Sequence, residues 1–323
     1  MACENVMPCG VDLPHKTVIM RAMRHRARLQ SGSDRLRWRW LCRPVLATCA
    51  AVATLAGVQI SSITPASATG LYQLLGEGLD SCAAPSTGQM ANFWNGTPYY
   101  YWGIYIGGDE RGCSQPNLTK GWIATVTNGT ANGVQMNWKL LPIWVGPQDP
   151  CQHGYSHYIS MNTTTAFNQG ESEGASAYDE WVTTLGQSAN TPIEYDMEFN
   201  GYAISSGCLA AMKSFINGWV TQLHLPPAQK AGLYTSTGGD LNNFASIAHP
   251  PDFIDGANYS SGKSTSNMPG VSSSNWSHQQ RHKQYRGPHN ETWNGTTLGV
   301  DSRCANSWVY ATFTVQNTSE GCA

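Results

Sequence analysis

The chain has 323 residues, of which 41% are hydrophobic and 12% are charged, and its formal net charge is −2. This is the composition of an ordinary globular protein, and it excludes a chain that is disordered over most of its length.

Residues 1–68 have the organisation of a secretory signal. Eight arginines between positions 21 and 43 precede an apolar run from Val45 to Ile60, which is shorter than the roughly 20 residues that a membrane-spanning helix needs. Small residues follow at Ala66-Ser67-Ala68, so we predict cleavage after Ala68 and a secreted mature domain over residues 69–323. The alternative is that the apolar run stays as a single membrane anchor.

Removal of this segment makes the protein acidic. Nine of the 19 basic residues but only three of the 21 acidic residues lie in residues 1–68, which leaves 10 against 18 and a net charge of −8. An acidic surface repels polyanions, so nucleic acid and anionic membranes are not expected partners. A neutral or amphoteric polymer fits better.

Six of the 10 cysteines lie in the predicted mature domain. An even number of cysteines in an exported chain indicates disulfides, and several pairings are possible. We favour pairing along the chain: Cys82–Cys113, Cys151–Cys208 and Cys304–Cys322.

Strand-like and helix-like segments alternate through the mature domain. The predicted strands are 78–82, 100–107, 140–145, 192–199, 231–235, 253–259, 283–286 and 298–301. The predicted helices are 86–93, 118–130, 172–188, 209–224 and 241–248. Eight strand–helix repeats in a domain of this length predict a single (β/α)8 TIM-like barrel. The last repeats are expected to be irregular because residues 260–277 are rich in Ser, Gly and Asn, while residues 308–316 alternate like an additional strand.

The strongest chemical signal is an Asp-x-Glu pair at the end of a predicted strand. Alternation along that strand directs Asp196 and Glu198 to the same face. In a parallel barrel this end of the strands forms the active-site face, and mutual repulsion would raise one of the two pKa values. An acid and a base would then share one pocket.

Two further acids, Asp80 and Asp301, end other predicted strands. A helix cap or a loop salt bridge would explain either one alone. Together with Asp196 and Glu198, they predict a cluster of four carboxylates.

Several segments resemble a bacterial family, the domain of unknown function 1906, over nearly all of residues 76–304. They are Gly78-Leu79-Asp80-Ser81-Cys82-Ala83-Ala84-Pro85, Gly103-Ile104-Tyr105-Ile106-Gly107-Gly108, Gln115-Pro116-Asn117-Leu118-Thr119, Pro142-Ile143-Trp144-Val145-Gly146, Tyr195-Asp196-Met197-Glu198, Gly232-Leu233-Tyr234-Thr235-Ser236 and Gln284-Tyr285.

That family is described as glycoside hydrolase-like and is similar to the family 25 lysozymes, which are barrels that cleave cell-wall glycan. The resemblance implies that Glu198 is the proton donor, that Asp196 orients the substrate or stabilises its developing charge, and that Asp80 and Asp301 tune that pair. Residues after the last acid depart from the lysozyme pattern, which makes Asp301 the least secure of the four.

Aromatic side chains near the strand ends are candidates for stacking on sugar rings, although packing in the core is the alternative for each of them. The predicted substrate-binding residues are Tyr105, Trp144, Tyr234, Tyr259 and Tyr285. We expect no cofactor and no metal, because the His153/His157 and His278/His282 pairs lack the glutamate of a metalloprotease helix.

The sequence therefore predicts a monomeric, secreted glycosidase that acts on a polysaccharide, with peptidoglycan as the expected substrate. A glycan-binding or cell-envelope structural barrel without turnover is the alternative.

Overall fold

The computed structural model describes residues 70–199, 203–235, 238–312 and 322–323. The predicted signal segment and the cleavage site after Ala68 lie outside these ranges and stay predictions.

Ten strands form within the described ranges. They are β1 (Gly70–Asp80), β2 (Tyr99–Gly107), β3 (Thr130–Ala131), β4 (Val134–Gln135), β5 (Lys139–Trp144), β6 (Pro192–Met197), β7 (Lys230–Thr235), β8 (Phe253–Ala257), β9 (Arg281–Trp293) and β10 (Thr296–Ala311). Strands β3 and β4 form a separate two-stranded hairpin, and the other eight close a barrel in the order β1-β10-β9-β8-β7-β6-β5-β2. Neighbours from β1 through β2, β5, β6, β7 and β8 to β9 are parallel, whereas β10 is antiparallel to both β9 and β1.

The predicted (β/α)8 TIM-like barrel is therefore wrong, because this barrel contains a mixed sheet and has no helix between its last strands. Asn294 and Gly295 have positive φ angles of 47° and 77°, and they join β9 to β10 in a two-residue hairpin turn that reverses the chain direction. No helix forms between β8 and β9 either, because residues 258–280 form turns and bends. The expected irregularity of this region is thus larger than predicted.

Four α-helices occur in the described ranges: α1 (Thr87–Trp94), α2 (Lys120–Asn128), α3 (Thr163–Tyr178) and α4 (Ser206–Leu223). A π-helical segment, Asp179–Thr184, continues α3, and a 3-10 helix, Gly238–Phe244, replaces the helix predicted at 241–248. Residues 308–311 of the predicted additional strand belong to β10. None of the helices in the described ranges has the length and apolar character that crossing a membrane requires.

Polar caps fix where these helices begin. The side chains of Ser86, Thr119, Asn162 and Ser205 each accept a hydrogen bond from a backbone N–H in the first turn of the following helix. These bonds satisfy donors that the helix itself leaves unpaired. The helices therefore start just after the strand-end loops that surround the mouth of the barrel.

Helices α3 and α4 pack with their backbones in contact. A Cβ atom on Gly170 would lie 2.0 Å from the carbonyl oxygen of Phe215, and one on Gly218 would lie 2.0 Å from that of Phe167. No side chain fits at either glycine without moving the two helices apart.

The barrel wall separates two apolar clusters. One cluster inside the barrel includes Tyr101, Leu141, Ile143 and Phe253. A larger cluster lies between the strands and the helices and includes Trp102 on the opposite face of β2. This division follows from the alternation of side chains along each strand.

The outer part of the β9–β10 hairpin, residues 287–300, forms an arm that folds against α1. The Asn294 side chain donates hydrogen bonds to the carbonyl oxygens of Asn92 and Asn95 at 2.8 and 2.7 Å, and Asn92 donates to Thr296 Oγ1 at 2.8 Å. The ladder between β9 and β10 is irregular between Val300 and Ser302. This β-bulge lets the arm leave the direction of the barrel strands.

Three disulfides are present: Cys82–Cys113, Cys151–Cys208 and Cys304–Cys322. They are the three pairs that the sequence analysis favours. Two of them flank the mouth of the barrel, where Cys82 follows β1 and Cys151–Cys208 joins the loop after β5 to the first turn of α4.

Candidate active site

Six carboxylates converge inside the barrel, near the carboxyl ends of its parallel strands. Four are buried, and they are Asp80, Glu194, Asp196 and Asp255. Glu198 and Asp301 are partly exposed at the opening. The structure therefore brings the four sequence-predicted acids to one place and adds two that were not predicted.

A buried arginine on β10 holds three of these acids together. Arg303 Nη2 lies 2.7 Å from Glu194 Oε1 and is hydrogen-bonded to Asp255 Oδ2, while Nη1 lies 3.5 Å from Asp80 Oδ2. The Arg303 side chain is only 2% exposed. A buried guanidinium with several carboxylate partners forms strong charge-assisted hydrogen bonds.

One guanidinium does not neutralise this many carboxylates, and the surplus negative charge favours protonation. Burial raises the pKa of Glu194 to about 8, although the charge of Arg303 acts in the opposite direction. Burial likewise raises the pKa of Asp80 to about 6, again opposed by Arg303. The cluster therefore retains protons near neutral pH.

Asp196 and Glu198 extend this effect to the mouth of the barrel. Burial, followed by the charge of Asp80, raises the pKa of Glu198 to about 7. Burial is the main cause that raises the pKa of Asp196 well above its usual range, and the negative charges of Glu198 and Glu194 add to it. The Oδ1 atom of Asp196 is buried and has no hydrogen-bond partner among the described residues.

Gln148 fixes the backbone that carries this pair. Its side-chain amide donates to the carbonyl oxygens of Gly146 and Asp196 at 2.8 and 3.0 Å, and its Oε1 accepts the backbone N–H of Glu198 at 2.8 Å. Gln148 is completely buried. The loop after β5 thereby determines where β6 ends and how Glu198 enters the opening.

The acids surround a cavity of about 50 Å³. The cavity is lined by Asp80, Tyr105, Ile143, Glu194, Asp196, Glu198, Tyr234, Gln284, Asp301 and Arg303. This space accommodates water or a small substituent but not a whole sugar ring, so a glycan would lie across its opening.

Two of the five predicted aromatic residues, Tyr105 and Tyr234, line this cavity, and Tyr259 contacts Gln284 in its lining. The Tyr105 hydroxyl donates to Asp80 Oδ1 at 3.1 Å, and the hydroxyls of Tyr234 and Tyr259 both donate to Gln284 Oε1, at 2.9 and 3.0 Å. Tyr259 is 58% exposed, so its ring is accessible to a ligand.

The other two aromatic residues have different partners. Trp144 Nε1 donates to Glu173 Oε2 at 2.6 Å, and the Tyr285 hydroxyl donates to Glu77 Oε2 at 2.7 Å. Neither Trp144 nor Tyr285 lines the acidic cavity.

Sequence reasoning missed Glu194, Asp255, Arg303, Gln148 and Gln284. Glu194 was the easiest of these to predict from the sequence. It lies two residues before Asp196 on the same strand, and alternation places both side chains on the same face. Arg303 bears the same relation to Asp301 on β10. Nothing in the local sequence indicates Gln148, which acts through contacts with another strand.

The only group with metal-ligand spacing among the described residues is Asp149, Cys151 and Cys208. Cys151 and Cys208 form a disulfide, so their sulfur atoms are not thiolate ligands. This group is not part of the acidic cavity.

The sequence comparison identifies the family. Residues 92–305 match the Rv2525c-like, glycoside hydrolase-like domain. The chain belongs to this family. The match includes Asp196, Glu198, Asp301 and Arg303, whereas Asp80 precedes it. No curated protein matches the chain.

Two solved structures of the modular autolysin LytC from Streptococcus pneumoniae are similar in fold, one of them in complex with a synthetic peptidoglycan ligand. Each is 14% identical to this chain, with TM-scores of 0.42 and 0.43, and each alignment covers 73% of this chain and 46% of LytC. The chain thus spans less than half of the length of LytC. Likeness at this level assigns no function.

Proposed function

We propose that this protein is a secreted, monomeric glycoside hydrolase that cleaves cell-wall glycan by acid catalysis, in the manner of the family 25 lysozymes. Glu198 is the proton donor, Asp196 is its partner, and Asp80 and Asp301 tune the pair. The glycoside hydrolase-like family supports the reaction class.

One observation carries the proposal, namely that Glu198 is partly exposed at the opening of a cavity that Asp80, Glu194, Asp196 and Asp301 also line. Burial and the charge of Asp80 raise the pKa of Glu198 there to about 7. Cleavage of a glycosidic bond requires a carboxylic acid that is still protonated when the leaving oxygen departs. A solvated glutamate is ionised at neutral pH, whereas the raised pKa of Glu198 favours its protonated form. Its partial exposure at the opening leaves it accessible to a substrate.

Asp196 supplies the second function. Its buried Oδ1 lacks a hydrogen-bond partner among the described residues, and unsatisfied buried oxygens of this kind are unfavourable unless a ligand completes them. A substrate N–H or a developing positive charge at the sugar ring would do so. Carboxylates of the cluster that stay ionised supply the negative charge for this purpose, because Arg303 neutralises only one of them.

The three disulfides support an oxidising compartment, and hence export of the domain. The acidic mature domain disfavours polyanionic partners and leaves a polysaccharide such as peptidoglycan as the proposed substrate.

The direct test is the release of reducing ends from purified peptidoglycan. We expect Glu198→Gln to lower the rate by about 10²–10⁴-fold, because the amide has no proton to transfer, while pelleting with the polymer stays unchanged. Glu171→Gln, on α3, is the matched control. If the parent protein pellets with peptidoglycan but releases nothing, the alternative of a non-catalytic glycan-binding barrel replaces the proposal.

A further inference from the structure

A second, larger depression adjoins the acidic cavity. We call it the arm groove, and its volume is about 470 Å³. It is lined by Ser81, Cys82, Pro288, His289, Asn290, Gly299, Val300 and Asp301. Asp301 lines both the arm groove and the acidic cavity, so the two spaces adjoin at this residue.

The groove is built into the fold because the arm is fixed at several points. Glu291 accepts hydrogen bonds from the Tyr99 hydroxyl at 2.6 Å, from Trp293 Nε1 at 2.8 Å and from His289 Nε2 at 3.0 Å. Burial would raise the pKa of Glu291, but these three bonds lower it overall. The arm therefore holds its shape without a ligand, and binding does not require it to be ordered first.

The lining contains both apolar and polar groups, which match the apolar faces and the polar hydroxyl groups of a sugar ring. Pro288, which is exposed, offers apolar contact, whereas Asn290 and Asp301 offer polar atoms. Asn290 is exposed, and its side chain has no hydrogen-bond partner among the described residues. Ligand pockets have this mixture and about this size. The acidic cavity is too small for a ring, so the adjoining groove is where ring-sized groups fit.

We propose that the arm groove binds a sugar residue of the polymer next to the bond held at Asp196 and Glu198, and so makes the protein selective for a chain over a single sugar. This inference rests on the proposed function, which places the scissile glycosidic bond at Asp196 and Glu198. The groove itself is assigned from its size, its lining and its position next to the cavity at Asp301.

Gly299 offers a way to close the groove without disturbing the fold. Its φ angle is not in the left-handed region, and the nearest atom to an added Cβ is Asn290 Oδ1, at 3.6 Å. The Gly299→Phe side chain would occupy the space that a sugar residue takes. Asn290→Phe closes the same space from the opposite strand, because Asn290 pairs with Gly299. Thr183→Phe, at an exposed position of the π-helical segment that follows α3, is the matched control.

The experiment measures the binding of full-length protein to purified peptidoglycan by pelleting, with Glu198→Gln in every sample so that the polymer stays intact. We expect Gly299→Phe and Asn290→Phe to raise Kd about tenfold or more, equivalent to about 1.4 kcal/mol, and Thr183→Phe to leave it unchanged. Equal Kd values for all variants, or no binding by the parent, would overturn the inference.

Hydrolysis by protein with Glu198 intact is scored separately. If the parent binds through the groove but releases no reducing ends, the proposed function fails while the groove stands. If the parent hydrolyses peptidoglycan and closing the groove changes neither binding nor rate, the groove fails while the proposed function stands.

Discussion

Glu198 and Asp80 come from different strands, yet Asp80 is the charge that contributes most to the raised pKa of Glu198 after burial. The acid form of Glu198 is present below pH 7 and is lost as the pH rises through about 7. Activity that requires this proton should decline over the same range.

Asp80→Asn should move this decline to lower pH. The substitution removes the negative charge near Glu198, so the pKa of Glu198 falls toward its usual value of 4.5. The measurement is the pH profile of kcat/KM on soluble glycan for the parent and the variant. A basic limb that stays near pH 7 in the variant would show that another group controls it.

Arg303 is expected to be the most sensitive single position for stability in the cluster. Arg303→Met fills a similar volume but leaves Asp80, Glu194 and Asp255 without their cation, and we expect a loss of about 3–5 kcal/mol in the free energy of unfolding. The loss should shrink at low pH, where the three acids are protonated. Denaturant titrations at pH 4.5 and pH 7.5 check both statements, and an equal loss at the two pH values would contradict the electrostatic cause.

The sequence was informative about acids at strand ends and much less so about their partners. Asp80, Asp196 and Glu198 meet because chain direction and alternation, both readable locally, place them at one end of the barrel. Asp301 joins them for a different reason, because β10 is antiparallel to β1 and pairs its Asp301 with Asp80 near the start of the strand. Their roles stay predictions. Arg303 and Gln148 depend on which strands become neighbours, and that information is not local.

At the scale of elements, the close contact of α3 with α4 depends on glycine. We expect Gly218→Ala to destabilise the protein by about 1–3 kcal/mol, because its Cβ would overlap the Phe167 carbonyl oxygen and force the helices apart. Thermal unfolding measures the effect. Gly121→Ala in α2 is the control, since no atom there lies closer than 3.9 Å, and it should be neutral or stabilising. Equal effects in the two variants would show that the contact between Gly218 and the Phe167 carbonyl oxygen does not limit the packing of α3 against α4.

The prediction of the fold was accurate for the parallel strands and failed at the β9–β10 hairpin. The barrel strands β2, β5, β6, β7 and β8 were located within a few residues because each is a short apolar run bounded by turn residues. The small β3–β4 hairpin was not predicted. The direction of the last strand was predicted wrongly. Asn294-Gly295 is a strong signal for a hairpin turn, whereas the prediction continued the alternation of strands and helices. Alternating polar residues in 287–300 also conceal an arm whose partner, α1, is about 200 positions earlier.

For the whole molecule, the buried carboxylates predict a stability that depends on pH. The pKa of Glu194 is about 8 in the folded protein against 4.5 ordinarily, so the folded state binds more protons than the unfolded state between these values. The free energy of unfolding should therefore be highest near pH 4.5 and fall as the pH rises through about 8.

Glu194→Gln should flatten this dependence, because the amide does not titrate while its oxygen still accepts the hydrogen bond from Arg303. Urea unfolding at intervals from pH 4.5 to pH 8.5 provides the comparison. Parallel curves for the parent and the variant would rule out Glu194 as the source of the slope.

Strand β10 carries both an acid of the opening and the counter-ion of the cluster, with a single residue between them. A deletion or insertion at Ser302 would leave Asp301 in place and move the Arg303 side chain to the other face of the strand, into the apolar layer. The buried carboxylates would then lack their cation, and the fold would be strongly destabilised. Insertions or deletions within the arm, residues 287–300, leave the spacing between Asp301 and Arg303 intact. Evolution and protein engineering are thus free to lengthen or shorten the surface beside the site while the charges beneath it stay aligned.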